Sequence, residues 1–180
     1  MAASSSAAAS ASTSAAPNSD YDVFINHRGP DVKKTFASHL YRRLQSYSLR
    51  VFLDQPELQR GEYLTPQIEG AIGSASVHVA IFSSGYAEST WCLRELDLML
   101  QSNSPVIPVF YKVKPEELRW TRGKEGGYAK ALEGLEKKMS TDPQTGEEKL
   151  RYDSSVIENW RNALFEAAGI SGFELEVCNG

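Results

Sequence analysis

Four short β-rich runs, each separated from the next by enough residues for a helix, constrain this chain more than any other feature. They are Tyr21–Asn26 (YDVFIN), Arg50–Leu53 (RVFL), Ser76–Phe82 (SVHVAIF) and Pro105–Tyr111 (PVIPVFY). After the first run, Val32, Phe36, Leu40, Tyr41 and Leu44 recur at helical spacing and predict a helix over 32–47. The segment 54–64 carries Pro56 and Gly61 and reads as a loop, with a helix over 65–73 behind it. Trp91–Gln101, Tyr128–Met139 and Ser154–Ala168 read as further helices, the last capped by Ser154 or Ser155 and stopped by Gly169. Residues 140–153 are a polar excursion. Strand and helix in alternation make a parallel sheet, because joining parallel strands needs a crossover, and a helix supplies it.

Composition narrows the possibilities. Residues 1–19 carry no charge and are mostly Ala and Ser, too little apolar surface to offset the entropy of ordering them. They also lack the basic start and long apolar centre of a secretory signal. Residues 20–175 suit one domain, with a short tail at 176–180. A net charge of −4 disfavours a broad nucleic-acid surface. Cys92 and Cys178 are far apart and form no metal-ligand spacing, so no structural zinc is expected and a reducing, cytoplasmic or nuclear compartment fits. No apolar run reaches the length of a membrane span.

The expected fold is a flavodoxin-like open α/β parallel sheet with strand order about 2-1-3-4, with or without a fifth strand, and helices on both faces. Ligands of such sheets sit beyond the carboxyl ends of the strands. Three unusual loops follow the first three strands: 27–31, 54–64 and 83–95. That strand order sets them side by side on one rim. Trp91 and Glu95 stand one helical turn apart there, where an acid can do chemistry or merely serve the helix. No Walker sequence, GxGxxG fingerprint, GxSxG elbow or receiver-type acid cluster occurs, and His27, His39 and His78 have no metal spacing.

The segments YDVFINHRGPD, FLDQPELQRGEYL and SSGYAESTWCLREL together resemble the Toll/interleukin-1 receptor (TIR) domain in its plant form. VIPVFYKVKPEELR, VIENWRNAL and GISGFEL are similar to that family's fourth strand and last helix, so the resemblance runs from Tyr21 to Leu175. It departs at His27, where the family has an aromatic, and at Pro30, where it has an acid. No nucleotide-binding ATPase module or leucine-rich repeat occurs in these 180 residues, so the chain resembles the TIR-only members.

The resemblance implies cleavage of the nicotinamide–ribose bond of NAD+, with Glu95 as the catalytic acid, NAD+ as substrate and no resident cofactor or metal. It implies ADP-ribose, variant cyclic ADP-ribose or related nucleotides as products, signalling through lipase-like heterodimers in plant immunity and cell death. Arg28, Gly29, Trp91, His27 and Gly61 are the implied substrate-binding residues. Trp91 can stack on a ring of the dinucleotide or hold its helix to the sheet, and Arg28 with Gly29 can approach the pyrophosphate. Ser38 and His39 match a helix–helix contact of the family, and Leu58 and Arg60 lie in a loop that packs on a neighbour. Activity is therefore expected in a homo-oligomer built through TIR–TIR contacts, other TIR proteins being further partners. Two alternatives stay open: a non-catalytic TIR–TIR adaptor, and a synthetase of 2′,3′-cyclic mononucleotides acting on nucleic acid through Cys92.

Overall fold

β1 (Val23–His27) is buried at every position, as a strand in the middle of a two-sided sheet must be. In the computed structural model, which describes residues 20–53, 64–119 and 126–175, it leads into α1 (Gly29–Val32), a wide π-turn at Lys33–Ala37 and α2 (Ser38–Ser46). β2 (Val51–Leu53), α3 (Pro66–Ser74) and β3 (Val77–Phe82) follow. Next come a 3₁₀ turn at Tyr86–Glu88, α4 (Thr90–Gln101), β4 (Val106–Tyr111), α5 (Pro115–Leu118) and α6 (Gly127–Glu136). The described chain ends with β5 (Met139–Thr141), β6 (Glu148–Leu150), α7 (Ser154–Ala167) and β7 (Phe173–Leu175). Residues 1–19 and 176–180, and Leu58, Arg60 and Gly61, lie outside the described residues.

The main sheet has five strands in the order β2-β1-β3-β4-β7, and every pairing is parallel. β7 is the fifth strand that the sequence left open. It closes on β4 at Gly172, where a Cβ would overlap the Pro108 carbonyl oxygen, so only glycine allows this approach.

The two faces are covered unequally. On one, Phe24, Ala80, Phe82 and Phe110 pack beneath α3, α4, α6 and α7, with Leu93, Leu96, Trp160 and Leu164 fully buried. On the other, Val23, Ile25, Val79 and Val109 meet Phe36, Leu40 and Leu44, the apolar stripe of α2 and the turn before it. An open, wholly apolar groove of about 420 Å³ remains on that side, bordered by Leu40, Leu44, Ile107 and Phe173.

The structure revises three local expectations. The helix predicted over 32–47 is broken at Thr35 (φ −123°, ψ −106°). The Ser38 hydroxyl donates to the Lys33 carbonyl and the Thr35 hydroxyl to the Val32 carbonyl, so side chains compete with the helical ladder there. The polar excursion is a β-hairpin, β5 against β6. Asp142 accepts from the Gln144 and Thr145 amides and Gly146 takes φ +73°, so the turn's own chemistry sets the pairing. Apolar alternation could not report it, because these strands are largely exposed. At the head of α7, Asp153 rather than Ser154 or Ser155 holds the N-cap position.

His78, buried on β3, links α3 to the end of α4. Its Nε2–H donates to the Ile72 carbonyl at 2.9 Å, and its Nδ1 lies 3.4 Å from Ser102 Oγ. Burial pushes its pKa below the ordinary value, and the backbone bond to Ile72 opposes this only partly. The unfolded chain therefore binds this proton more readily than the fold does. Stability from His78 is complete above the unfolded value of about 6.5 and declines as pH falls below it. Lowering the pH from about 7.5 to about 5.5 should therefore lower stability through this residue. Urea unfolding of the wild type and His78→Gln at both pH values checks this, the variant losing that part of the dependence.

Candidate active site

The carboxyl ends of β1 and β3 and the first two turns of α4 meet at one point on the rim. Along β1 the side chains alternate, Phe24 entering the core under α4 and Val23 and Ile25 the core under α2. Asn26 therefore faces α4, and the His27 ring is turned to the other side of the sheet. Both are fully buried polar residues at a strand end, which a purely structural β1 would not require.

Glu95 reaches this point from α4, whose start is capped by Ser89 Oγ accepting from the Cys92 amide at 3.3 Å. Its side chain is buried, at 1 % exposure. A carboxylate so placed needs polar partners, and Asn26 Nδ2 donates to Glu95 Oε2 at 2.7 Å. The Tyr86 hydroxyl donates to Asn26 Oδ1 and also lies 3.1 Å from the Cys92 carbonyl. The Cys92 thiol is 1 % exposed and donates to the His27 carbonyl at 3.4 Å, so it ties α4 to the end of β1. Tyr128 of α6 closes the rim by donating to the Ser83 carbonyl at 2.7 Å. Burial pushes the pKa of both Tyr86 and Tyr128 well above the ordinary phenol value, so both remain neutral donors.

A second polar cluster lies beside the first. Arg28 donates to Asp31 Oδ1 at 2.5 Å and to Glu88 Oε2 at 2.8 Å. Asp31 Oδ2 also accepts from Ser83 Oγ at 2.5 Å and from the Gly85 amide at 3.2 Å. A Cβ on Gly85 would come within 2.6 Å of Arg28 Nη1, so the glycine makes room for the guanidinium. Arg28 is thus held within the chain by two carboxylates, one of them on an exposed glutamate.

The sequence-derived candidates separate into three groups. Glu95 and half-buried Trp91 stand on α4 and Arg28 and Gly29 directly follow β1, at the carboxyl edge of the sheet, where His27 also lies but with its ring turned to the other face. Ser38 and exposed His39 start α2, across the sheet from Glu95, and the Ser38 hydroxyl is engaged by the Lys33 carbonyl. Leu58, Arg60 and Gly61 are not described. Sequence reasoning gave no role to Asn26, Tyr86 or Asp31. Two signals were present: a polar Asn at the end of an apolar strand, and the tyrosine within the SSGYAES segment. Among the described residues, no group of three or more His, Cys, Asp or Glu is placed to hold a metal ion.

The family model described as TIR domain matches residues 20–179. The chain belongs to the TIR domain family. This TIR domain is 48% identical over 100 residues to the "Probable 2' cyclic ADP-D-ribose synthase BdTIR" of Brachypodium distachyon, covering 56% of this chain and 45% of that protein. It is 35% identical over 166 residues to "TMV resistance protein N" of Nicotiana glutinosa, covering 90% of this chain but 13% of that one. Among solved structures it resembles the TIR domains of the activated Roq1 resistosome that recognises the pathogen effector XopQ. That match has a TM-score of 0.69 and 35% identity over 89% of this chain and 90% of the other. The chain spans under half of the first relative and a small part of the second.

Proposed function

We propose that this TIR domain cleaves the nicotinamide–ribose bond of NAD+, with Glu95 as the catalytic residue and self-association as the condition for turnover. The observation that carries the reading is the Glu95 carboxylate, bound by Asn26 at the carboxyl edge of a parallel sheet. Similarity to a protein named as a cyclic ADP-D-ribose synthase supports the same chemistry. Nicotinamide departs as a neutral molecule from a cationic pyridinium and needs no proton. The ribose it leaves carries oxocarbenium character, and a carboxylate close to it stabilises that charge. One acid therefore suffices, and NAD+ enters as substrate with no resident cofactor. The product is ADP-ribose or a cyclised form, according to whether water or a group of the same nucleotide captures the ribose.

Burial of Glu95 supports dependence on assembly. At 1 % exposure the carboxylate meets a ribose only if the rim opens, and a neighbouring copy is one means of stabilising the open form. The likeness to TIR domains of an activated resistosome accords with this. No described helix is long and apolar enough to cross a membrane.

The test is nicotinamide release from NAD+ across a range of protein concentrations and on a crowding surface. Specific activity rising with concentration, and lost in Glu95→Gln, is expected. No release under any assembling condition would leave a docking role alone.

Arg28 offers a finer check. If it receives the pyrophosphate, it must exchange its bond to exposed Glu88 for the substrate. Glu88→Gln should then lower KM for NAD+ by about two- to fivefold with little change in kcat, in line with the ~0.2–1 kcal/mol of an exposed ion pair. An unchanged KM would remove Arg28 from the binding set.

A further inference from the structure

We propose that Asn26, seated by Tyr86, is the positioning residue that fixes the Glu95 carboxylate for the bond cleavage proposed above, on which this inference rests. The geometry is a three-member relay from three separate elements: Tyr86 in the 3₁₀ turn, Asn26 at the end of β1 and Glu95 on α4. An amide is asymmetric, so its orientation decides what it offers the acid. With the Tyr86 hydroxyl donating to Asn26 Oδ1, the Nδ2 protons are turned to Glu95 Oε2 at 2.7 Å and to the Cys92 carbonyl at 3.4 Å. This orientation favours the ionised carboxylate.

The relay also has a second complete pattern. Tyr86 has one proton and two acceptors in reach, Asn26 Oδ1 and the Cys92 carbonyl at 3.1 Å. If Glu95 takes up a proton, its hydroxyl can donate to a reversed Asn26 Oδ1. Asn26 Nδ2 then donates to the Tyr86 oxygen, and the Tyr86 proton turns to the Cys92 carbonyl. One proton is added at Glu95, the phenol and amide keep all of theirs, and each member of the relay stays bonded. Asn26 thus holds the acid in place in either protonation state, and a residue with a single fixed polarity cannot. Burial keeps Tyr86 protonated throughout.

Other ionisable groups stand around the relay among the described residues. Cys92 on α4 and Tyr128 on α6 flank Tyr86. The His27 ring lies on the other side of β1. Asp31 and Glu88 are turned to Arg28, and Arg161 of α7 binds Glu136 and Glu158.

The experiment compares wild type, Asn26→Leu, Asn26→Asp, Tyr86→Phe and Glu95→Gln by nicotinamide release over a pH series, with circular dichroism to confirm folding. Asn26→Leu should lower kcat by at least about tenfold with KM within about twofold, since a misplaced acid loses transition-state contact rather than substrate affinity. Tyr86→Phe should act in the same direction by about threefold. Asn26→Asp gives the distinguishing result. While the introduced carboxyl and Glu95 share one proton, the new group donates to Glu95 as the amide does, and turnover is retained. As pH rises and that proton is lost, two facing carboxylates repel and turnover falls, over a range where the wild type does not decline.

A folded Asn26→Leu with wild-type kcat beside an inactive Glu95→Gln would overturn the positioning role and leave the NAD+ reading intact. An active Glu95→Gln, or an inactive wild type, would instead overturn that reading. The contact is also readable without turnover. By carbon-13 NMR, the titration midpoint of the Glu95 carboxyl should move by more than about half a pH unit in Asn26→Leu or Asn26→Asp. An unmoved midpoint in both folded variants would overturn the proposal.

Discussion

Replacing Glu95 with glutamine is expected to reduce NAD+ cleavage by at least about a hundredfold while the domain stays folded, the scale seen when one preorganised electrostatic partner of a transition state is removed. The substitution keeps the shape of the side chain and keeps a carbonyl oxygen for the Asn26 amide, which now donates to Glu95 Oε2. What it removes is the negative charge. Because Glu95 is buried, little water is at hand to replace that charge beside a developing oxocarbenium. Stability should change little or rise, since ionising a buried carboxylate has its own desolvation cost. Nicotinamide release measured beside thermal unfolding separates the two effects. Activity within about tenfold of wild type would make Glu95 a structural acid and not the catalytic one, because a tenfold change is only ~1.4 kcal/mol.

Trp160→Ala is expected to destabilise the domain by about 3–5 kcal/mol, the range for emptying a large aromatic site from a packed core. Trp160 is the largest fully buried side chain among the described residues, with Tyr152 edge-on at 5.3 Å, and it lies on α7, which packs against both α4 and α6. Domains of ordinary stability have about 5–15 kcal/mol in total, so the loss is a large fraction of the whole. Urea unfolding reads it directly. Trp160→Phe should fall between, because the smaller ring leaves a smaller cavity. The same packing steadies α4, the helix that carries Glu95. Turnover in Trp160→Ala should therefore decline at a lower temperature than in the wild type, even where most molecules are folded.

The large elements were legible because they report through apolar periodicity. β1, β3 and β4 appear as mostly apolar, β-rich runs, and α4 and α7 as helical patterns. Elements without an apolar face were harder to read. The β5–β6 hairpin is mostly exposed and is specified by Asp142 and Gly146 at its turn, a signal easily lost within a polar segment. The break at Thr35 was missed for a similar reason. The spacing from Val32 to Leu44 reads as one helix, and the hydroxyls of Thr35 and Ser38 divide it.

The sequence by itself determined the strand–helix alternation, and its resemblance to the TIR family singled out Glu95 among the acids that follow the third strand. It could do so because periodicity and motif spacing are local properties of the chain. Only the tertiary structure decided which residues surround that acid. Asn26 and Glu95 are 69 positions apart, Tyr86 and Asn26 60 apart, and Arg28 and Glu88 60 apart. Contacts at such separations depend on strand order, on which face each strand residue takes, and on the rotation of α4 over the sheet. Those same factors turned His27 away from the acid and brought Asn26 to it.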